Sequence, residues 1–365
     1  MLENVGVLGI GRLGLCLALN LARSGFNVFG YDIREEHVES IKNKTFTTIE
    51  PEVVDLIDNI DKMTPTTDLC EALSKSQALF LTVNTGIRSD NRYDHQQVDS
   101  LIETMIECGV QKQTKTLIIN CNVYPGFSNK IQEILHGYNY KVSYNPEWVA
   151  QGQIIKDQIY PDLVVIGEAD TEEGDRIEYI YRKLCKNNPV IHRMDRLSAE
   201  ITKLSLNCYL PTKISFANMV GDLAVKAGAD PDKILAAIGT DSRIGGKYLK
   251  YGYGYGGPCF PLDLRTFIHY ARSKEFEPFL PIATEQTNEY HLQCQVEHFV
   301  EATPKDKEIV FDSVAYKNGV DIILDSQQLF FAVEIAKRGY KVKIKDIPSV
   351  KKQVKKIYGD LFKYE

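Results

Sequence analysis

The residues best suited to chemistry share one stretch of eleven, Tyr253-Gly254-Tyr255-Gly256-Gly257-Pro258-Cys259-Phe260-Pro261-Leu262-Asp263. Cys259 is a potential nucleophile, and Asp263 is a potential base four residues beyond it. The glycines release the backbone from side-chain sterics, so it can pass close to a ligand. Pro258 and Pro261 fix φ and stiffen the loop that carries the thiol. A buried, inert cysteine is the ordinary reading of a lone intracellular thiol. A base and a permissive backbone in the same stretch favour a reactive one.

A second group lies at the start of the chain. Asn4-Val5-Gly6-Val7-Leu8 reads as a buried strand and opens into Gly9-Ile10-Gly11-Arg12-Leu13-Gly14. A helical pattern follows to Arg23, then Gly25, then a second strand from Asn27 to Tyr31 ending at Asp32. A glycine triplet alone can be a plain turn. Here it follows a strand, precedes a helix and has an acid 18 residues after Gly14 (14 to 32), which together make a dinucleotide-binding fingerprint. Gly9 supplies the tight turn, Gly11 the close approach to a pyrophosphate, and Gly14 the close helix–strand packing. The helix N-terminus then receives the phosphates. Asp32 would accept from a ribose 2′-hydroxyl and repel a 2′-phosphate, which favours NAD over NADP; Arg34 close by works against that preference.

The elements that must position these residues can be read in outline. Strand and helix patterns alternate through Ala78 to Val83, Gln97 to Glu107, Lys115 to Cys121, Tyr140 to Tyr144 and Leu163 to Gly167. That order predicts one doubly wound parallel sheet to about residue 195. Its ligand-side loops would carry Asn84-Thr85, Asn122-Val123-Tyr124-Pro125 and Asn145-Pro146-Glu147. From Ser198 a long helix is predicted to Lys226, kinked at Pro211, with Lys203 and Asn207 on one face. A solvated Lys–Asn pair is the bland reading of those two. Further helices are expected after Asp230-Pro231, over Leu264 to Arg272 and over Ile282 to Val300. After Thr303-Pro304 comes a β–α–β unit, small for a free-standing domain, and then a lysine-rich helix. The expected fold is thus α/β: a Rossmann-like domain over 1–195, a helical middle domain with a long central helix over 196–302, and a small α/β domain over 303–365.

Composition narrows the function class. The chain has 365 residues, a formal charge of −6, and 44% apolar and 25% charged residues. This balance disfavours a general nucleic-acid binder. No apolar run approaches the roughly 18 residues that a membrane span requires. Met1-Leu2-Glu3-Asn4 runs directly into a strand pattern, so no export signal is expected there. The eight cysteines are scattered without a short-spaced pair and the seven histidines are dispersed, so no metal site is expected and the thiols read as those of a reducing cytoplasm.

Taken together, these motifs resemble the UDP-glucose/GDP-mannose dehydrogenase family, the NAD-dependent nucleotide-sugar 6-dehydrogenases. The resemblance rests on Gly9 to Gly14, Glu50-Pro51, Thr66-Thr67-Asp68, Val83-Asn84-Thr85 and Asn145-Pro146-Glu147-Trp148. It continues through Ser198-Ala199-Glu200-Ile201-Thr202-Lys203, Asn207 and Gly256-Gly257-Pro258-Cys259-Phe260-Pro261. It implies four-electron oxidation of a sugar C6 alcohol by two NAD⁺, through a thiohemiacetal and a thioester on Cys259. Lys203 and Asn207 would donate to the oxyanion, Asp263 would handle the attacking water, and Glu147 would assist oxidation or hydrolysis. Asn84, Thr85 and Asn122 would join Gly9, Gly11, Arg12, Leu13, Gly14 and Asp32 at the cofactor. Trp148, Tyr248, Tyr253 and Gly256 would line the sugar, Lys317 would meet the diphosphate, and Arg243 would reach across a homodimer. Leu262, Gln151, Asn122 and Tyr316 stand where the family pattern has other residues. Two further readings remain beside this one: a two-electron dehydrogenase of the hydroxyacid or 6-phosphogluconate type, and a non-catalytic nucleotide-sugar binder.

Overall fold

The computed structural model describes residues 2–88, 90 and 92–365. It forms two compact units, Met1–Lys203 and Leu204–Glu365. Unit 1 begins with β1 (Asn4–Leu8), α1 (Arg12–Arg23), β2 (Asn27–Tyr31), α2 (Glu35–Lys42), α3 (Val53–Asn59) and β3 (Met63–Thr66). There follow α4 (Leu69–Lys75), β4 (Ala78–Leu81), a short hairpin of β5 (Gly86–Ile87) and β6 (Tyr93–Asp94), and α5 (Gln96–Glu107). Next come β7 (Lys115–Ile119), α6 (Phe127–Ile134), β8 (Tyr140–Tyr144) and α7 (Ile154–Ile159). The last are β9 (Leu163–Glu168), α8 (Thr171–Leu184), β10 (Val190–Asp195) and the start of α9 (Arg196–Ala227).

Eight strands form one sheet in the order β10-β9-β8-β7-β4-β1-β2-β3. Side chains alternate between its faces, as period-2 geometry demands. Val5, Val7, Phe80 and Ile118 enter the cluster built on α1, while Leu8, Leu79, Leu81, Leu117 and Ile119 enter the cluster on the opposite face with α5. Both faces are therefore covered, which explains the near-continuous apolar strands. The six strands from β3 to β8 are mutually parallel, as expected. The last two depart from that expectation: β9 meets β8 antiparallel at Tyr144 and Gly167, and β10 runs parallel to β9. Only the six-residue α7 lies between β8 and β9. An antiparallel neighbour requires no crossover back to the starting edge, so this short connection suffices.

The cysteines bring a second departure. Cys70 and Cys108 form a disulfide, with Cα atoms 5.4 Å apart across a sequence separation of 38. Cys70 lies in the first turn of α4 and Cys108 caps the end of α5, so the packing of those helices closes a distance that spacing alone did not show.

Unit 2 contains the rest of α9, then α10 (Pro231–Thr240), α11 (Phe260–Ser273), α12 (Phe279–Ala302), β11 (Glu308–Phe311) and α13 (Gln327–Lys337). It closes with β12 (Lys341–Ile344), α14 (Pro348–Tyr358) and β13 (Lys363–Tyr364). The strands make a parallel sheet ordered β11-β12-β13. The lysine-rich segment is α14, which buries Val350 and Val354, and β13 beyond it extends the expected β–α–β unit by one strand. Among the described residues, no helix is long and apolar enough to cross a membrane.

Candidate active site

In unit 1 the order of the strands reverses at β1, between β4 and β2, and the crevice beyond the carboxyl ends of β1 and β4 is where such sheets hold ligands. Gly9 lies in this turn at φ +100°, where a Cβ would stand 2.8 Å from Cγ1 of Val83. A Cβ on Gly14 would collide with the carbonyl oxygen of Gly9. At Gly11 the surroundings are open instead: a Cβ there would have Nη2 of Arg34 as its nearest neighbour, at 4.0 Å. Gly11 is also the N-cap of α1, and no side chain caps that end. Gly11 thus leaves its side of the α1 N-terminus open, a fitting seat for a pyrophosphate. Arg12 and Leu13 form the first turn of the same helix, and Arg12 donates to Gln151 at 2.9 Å. Asn84 and Thr85 follow β4 and Asn122 follows β7, so all three stand at the carboxyl edge that carries the glycine turn.

Asp32 directly follows β2 and is buried. Arg34 forks onto it, Nε to Oδ1 at 2.9 Å and Nη2 to Oδ2 at 3.0 Å, and the backbone N–H of Arg34 adds a bond of 3.1 Å. Burial works against the charged carboxylate, but these bonds and the guanidinium charge outweigh it and hold Asp32 below its usual range. The acid that would repel a 2′-phosphate is therefore neutralised by its neighbour. Arg34→Ala is expected to widen the preference for NAD⁺ over NADP⁺ about tenfold by removing one charge-assisted partner for a phosphate. Calorimetric titration of both dinucleotides measures it, and an unchanged ratio would refute the assignment.

The other polar cluster of unit 1 follows β8. Asn145 is buried, donates to Val165 O at 2.8 Å, and receives Asn120 and the hydroxyl of Tyr181. These bonds fix the chain as it turns into Pro146 and Glu147. Desolvation pushes the Glu147 carboxyl up to about 7, although Lys203, Asn120 and Gln158 each favour its charged form. Lys203 is buried, donates to the backbone oxygen of Glu147 at 2.8 Å and lies 4.6 Å over the Trp148 ring. One turn earlier on α9, Glu200 accepts from the N–H groups of Gly126 and Ser128 at the start of α6. Glu50 does the same for Gly152 and Ile154 at the start of α7. The family-like acids Glu50 and Glu200 thus serve as helix caps that hold the loops around Glu147 and Asn122.

In unit 2, Cys259 is exposed and is the N-cap of α11. Its sulfur stands at the positive end of the helix, which favours negative charge there. The Cys259 carbonyl accepts the N–H of Asp263 at 2.8 Å, so Asp263 sits one turn along. Asp263 is fully buried and its Oδ2 accepts from the amide of Asn207 on α9. Of the anticipated catalytic residues, Cys259, Asp263 and Asn207 lie in this unit, with the side chains of Asp263 and Asn207 in direct contact. Leu262 is 7% exposed. An apolar side chain suits that buried position, whereas a lysine would have to carry its charge inside.

The glycine-rich loop closes on its own chain. A Cβ on Gly256 would meet the carbonyl oxygen of Asp325, and one on Gly257, at φ +83°, would meet the Tyr316 ring. The N–H of Gly257 donates to Leu324 O at 3.1 Å. Lys317, half-buried, follows Tyr316 directly and so lies next to this seam. Arg265 pairs with Glu285 at 2.7 Å and approaches Asp325 at 3.7 Å. Tyr253 packs edge-on to Phe331, and Tyr248, at φ +61°, edge-on to Phe260. Arg243 is not drawn into this assembly: its side chain is 85% exposed and forks onto Asp241.

Comparison with known proteins agrees with this geometry. Residues 3–185 match the NAD binding domain of the UDP-glucose/GDP-mannose dehydrogenase family, and residues 197–290 match its central domain. A UDP-glucose 6-dehydrogenase of Pseudomonas aeruginosa is 27% identical over 93% of this chain and 78% of its own length. UDP-glucose 6-dehydrogenase TuaD of Bacillus subtilis is 31% identical over 79% of this chain and 63% of its own. A UDP-glucose dehydrogenase from the hyperthermophilic archaeon Pyrobaculum islandicum superposes with a TM-score of 0.89 at 26% identity, covering 100% of this chain and 86% of that one. With a matching glycine turn, acid and helix N-terminus for the cofactor, the chain belongs to the UDP-glucose/GDP-mannose dehydrogenase family of NAD-dependent nucleotide-sugar dehydrogenases.

Proposed function

We propose that the chain oxidises UDP-glucose to UDP-glucuronate at C6 in two NAD-dependent steps, through a covalent adduct on Cys259. The observation that carries this reading is the exposed Cys259 at the start of α11, with buried Asp263 one turn on and held by Asn207. When bound, the nicotinamide supplies the hydride acceptor for each oxidation, which consumes two NAD⁺ per sugar. The first oxidation takes a hydride from C6, releases the hydroxyl proton to water and leaves an aldehyde. The Cys259 thiolate then adds to that carbon, forming a C–S bond and placing negative charge on the oxygen. Lys203 and Asn207, one turn apart on α9, are the donors assigned to that oxyanion. Loss of a second hydride gives the thioester. Water attacks it, the C–S bond breaks, the carboxylate leaves and the thiolate returns. Glu147, ionising near pH 7, is the base assigned to that water, and Asp263 orients it. Arg12, Asp32, Asn84, Thr85 and Asn122 are assigned to the dinucleotide, and Trp148, Tyr248, Tyr253 and Gly256 to the sugar. Lys317, in the segment 303–365, is assigned to the diphosphate.

The deciding experiment incubates the protein with NAD⁺ and UDP-glucose, GDP-mannose or UDP-N-acetylmannosamine, and counts NADH per sugar consumed. Two NADH with UDP-glucose support the reading. One NADH marks a two-electron dehydrogenase, and none with any donor marks a binding protein.

A homodimer through the segment 196–302 is part of the same proposal. Tyr209, Phe216, Met219 and Leu223 are exposed on α9 at spacings of seven, three and four, a continuous stripe on one helix face. A two-fold axis would set this same patch against itself on the second subunit and cover it. Arg243, exposed on its own protomer, is then the residue assigned to reach the partner's sugar. Leu223→Glu with Phe216→Glu is expected to convert a dimer to a monomer by light scattering. A wild-type monomer would end this part of the proposal.

A further inference from the structure

The loop that leads to Cys259 has no regular structure between Tyr251 and Gly257, yet its backbone is tied to two helices at Gly252, Tyr253 and Tyr255. From α9, Asn218 accepts the N–H of Gly252 at 3.1 Å and donates to Tyr253 O at 3.4 Å. From α12, Asn288 accepts the N–H of Tyr255 at 2.9 Å and donates back to Tyr255 O at 3.1 Å, as a neighbouring strand would. Its Oδ1 occupies the space where a Cβ of Gly254 would be, so the glycine is required by the clamp. His291, one turn further on α12 and 1% exposed, places Nε2 2.7 Å from Gly252 O and Nδ1 2.8 Å from a carboxylate oxygen of Asp222 on α9. Through its two nitrogens the ring bridges α9 to the loop. Tyr251 donates to the other oxygen of Asp222 at 3.0 Å, and Gln295 adds a second donor to Gly252 O at 3.0 Å.

We propose that Asn288 and His291 are positioning residues that set the path of the Gly252–Gly257 backbone and, through it, the seat of Cys259 and of the sugar. Buried polar groups leave water only for matched partners, so a network this complete specifies one backbone conformation. Cys259 follows two residues after Gly257, across Pro258, whose fixed φ transmits the path of the loop to the nucleophile. Placement errors near an ångström in a reacting group cost large factors in rate. The kinetic part of this inference rests on the function proposed above; the structural part does not.

The test uses the full chain with His291→Leu, His291→Gln and Asn288→Ala, with UDP-glucose and NAD⁺ as substrates. His291→Leu and Asn288→Ala are expected to raise KM for UDP-glucose about tenfold, one lost buried hydrogen-bonding group each, and to leave KM for NAD⁺ unchanged. His291→Gln, which keeps N–H donors, is expected to recover most of that loss. In parallel, hydrogen exchange at the Gly252 and Tyr255 amides is expected to accelerate about tenfold in His291→Leu, with the 4–31 segment unaffected. Unchanged exchange at those amides, or equal rises in both KM values, would overturn the assignment. If the wild type does not oxidise UDP-glucose, the proposed function fails while the exchange result still decides the clamp. If His291→Leu does not fold, the exchange comparison is made on His291→Gln and Asn288→Ala, and unchanged exchange in both overturns it.

Discussion

Cys259→Ala is expected to lower uronate formation from UDP-glucose by at least about a thousandfold, because the nucleophile is the step that makes the second oxidation possible. An aldehyde holds its remaining hydrogen on a trigonal carbon, and removing that hydrogen as hydride would leave an acyl cation. Addition of sulfur makes the carbon tetrahedral and the oxygen anionic, so re-forming C=O expels the hydride. The position of Cys259 suits this role, exposed at the N-terminus of α11 with Asp263 one turn along and held there by Asn207 of α9. The variant should still bind NAD⁺ normally, since the dinucleotide cradle belongs to Met1–Lys203. Quantifying UDP-glucuronate by mass spectrometry, with NAD⁺ binding by calorimetry, separates the two effects. Activity within tenfold of wild type would remove covalent catalysis from the account.

Glu147 should govern the pH dependence. Its carboxyl is pushed up to about 7, chiefly by desolvation. Below that pH it holds its proton and cannot accept another from water; above it, the carboxylate is available as a base. The kcat for uronate formation is therefore expected to rise as pH increases through about 7. Glu147→Gln is expected to reduce kcat by roughly a hundred- to ten-thousandfold, the usual range for a positioned general base, and to erase that limb of the profile. Lys203 keeps its bond to the Glu147 backbone oxygen in this variant, so the local chain stays in place. A variant with the same inflection as the wild type would show that another group titrates.

The parts legible in the sequence are those whose signal is local. Val5, Val7 and Leu8 mark a strand by composition, and Gly9, Gly11, Gly14 and Asp32 mark a dinucleotide turn by spacing. The long helix, read from Ser198 and beginning at Arg196, is legible for the same reason. Features decided by distant partners were not. The reversal at β9, the union of Cys70 with Cys108 and the added β13 have no short-range signature. Arg34 was visible beside Asp32, but its bidentate fork was not. Gly256 and Gly257 look like a ligand cradle in sequence, and in the structure the close approach they permit is to Asp325 and Tyr316. Asn288 and His291 carry no motif at all; only folding brings α12 against the loop.

The bond between Cys70 and Cys108 encloses β4, the Asn84-Thr85 loop and α5 in a covalent ring. A ring of that span restricts the denatured ensemble, which by chain-entropy reasoning favours the folded state by about 4 kcal/mol. Where the thiols are kept apart, that contribution disappears, and the packing of α4 and α5 rests on apolar residues such as Ala72, Leu73, Leu101 and Met105. One wall of the dinucleotide crevice thus draws part of its stability from whether two thiols far from Cys259 are joined.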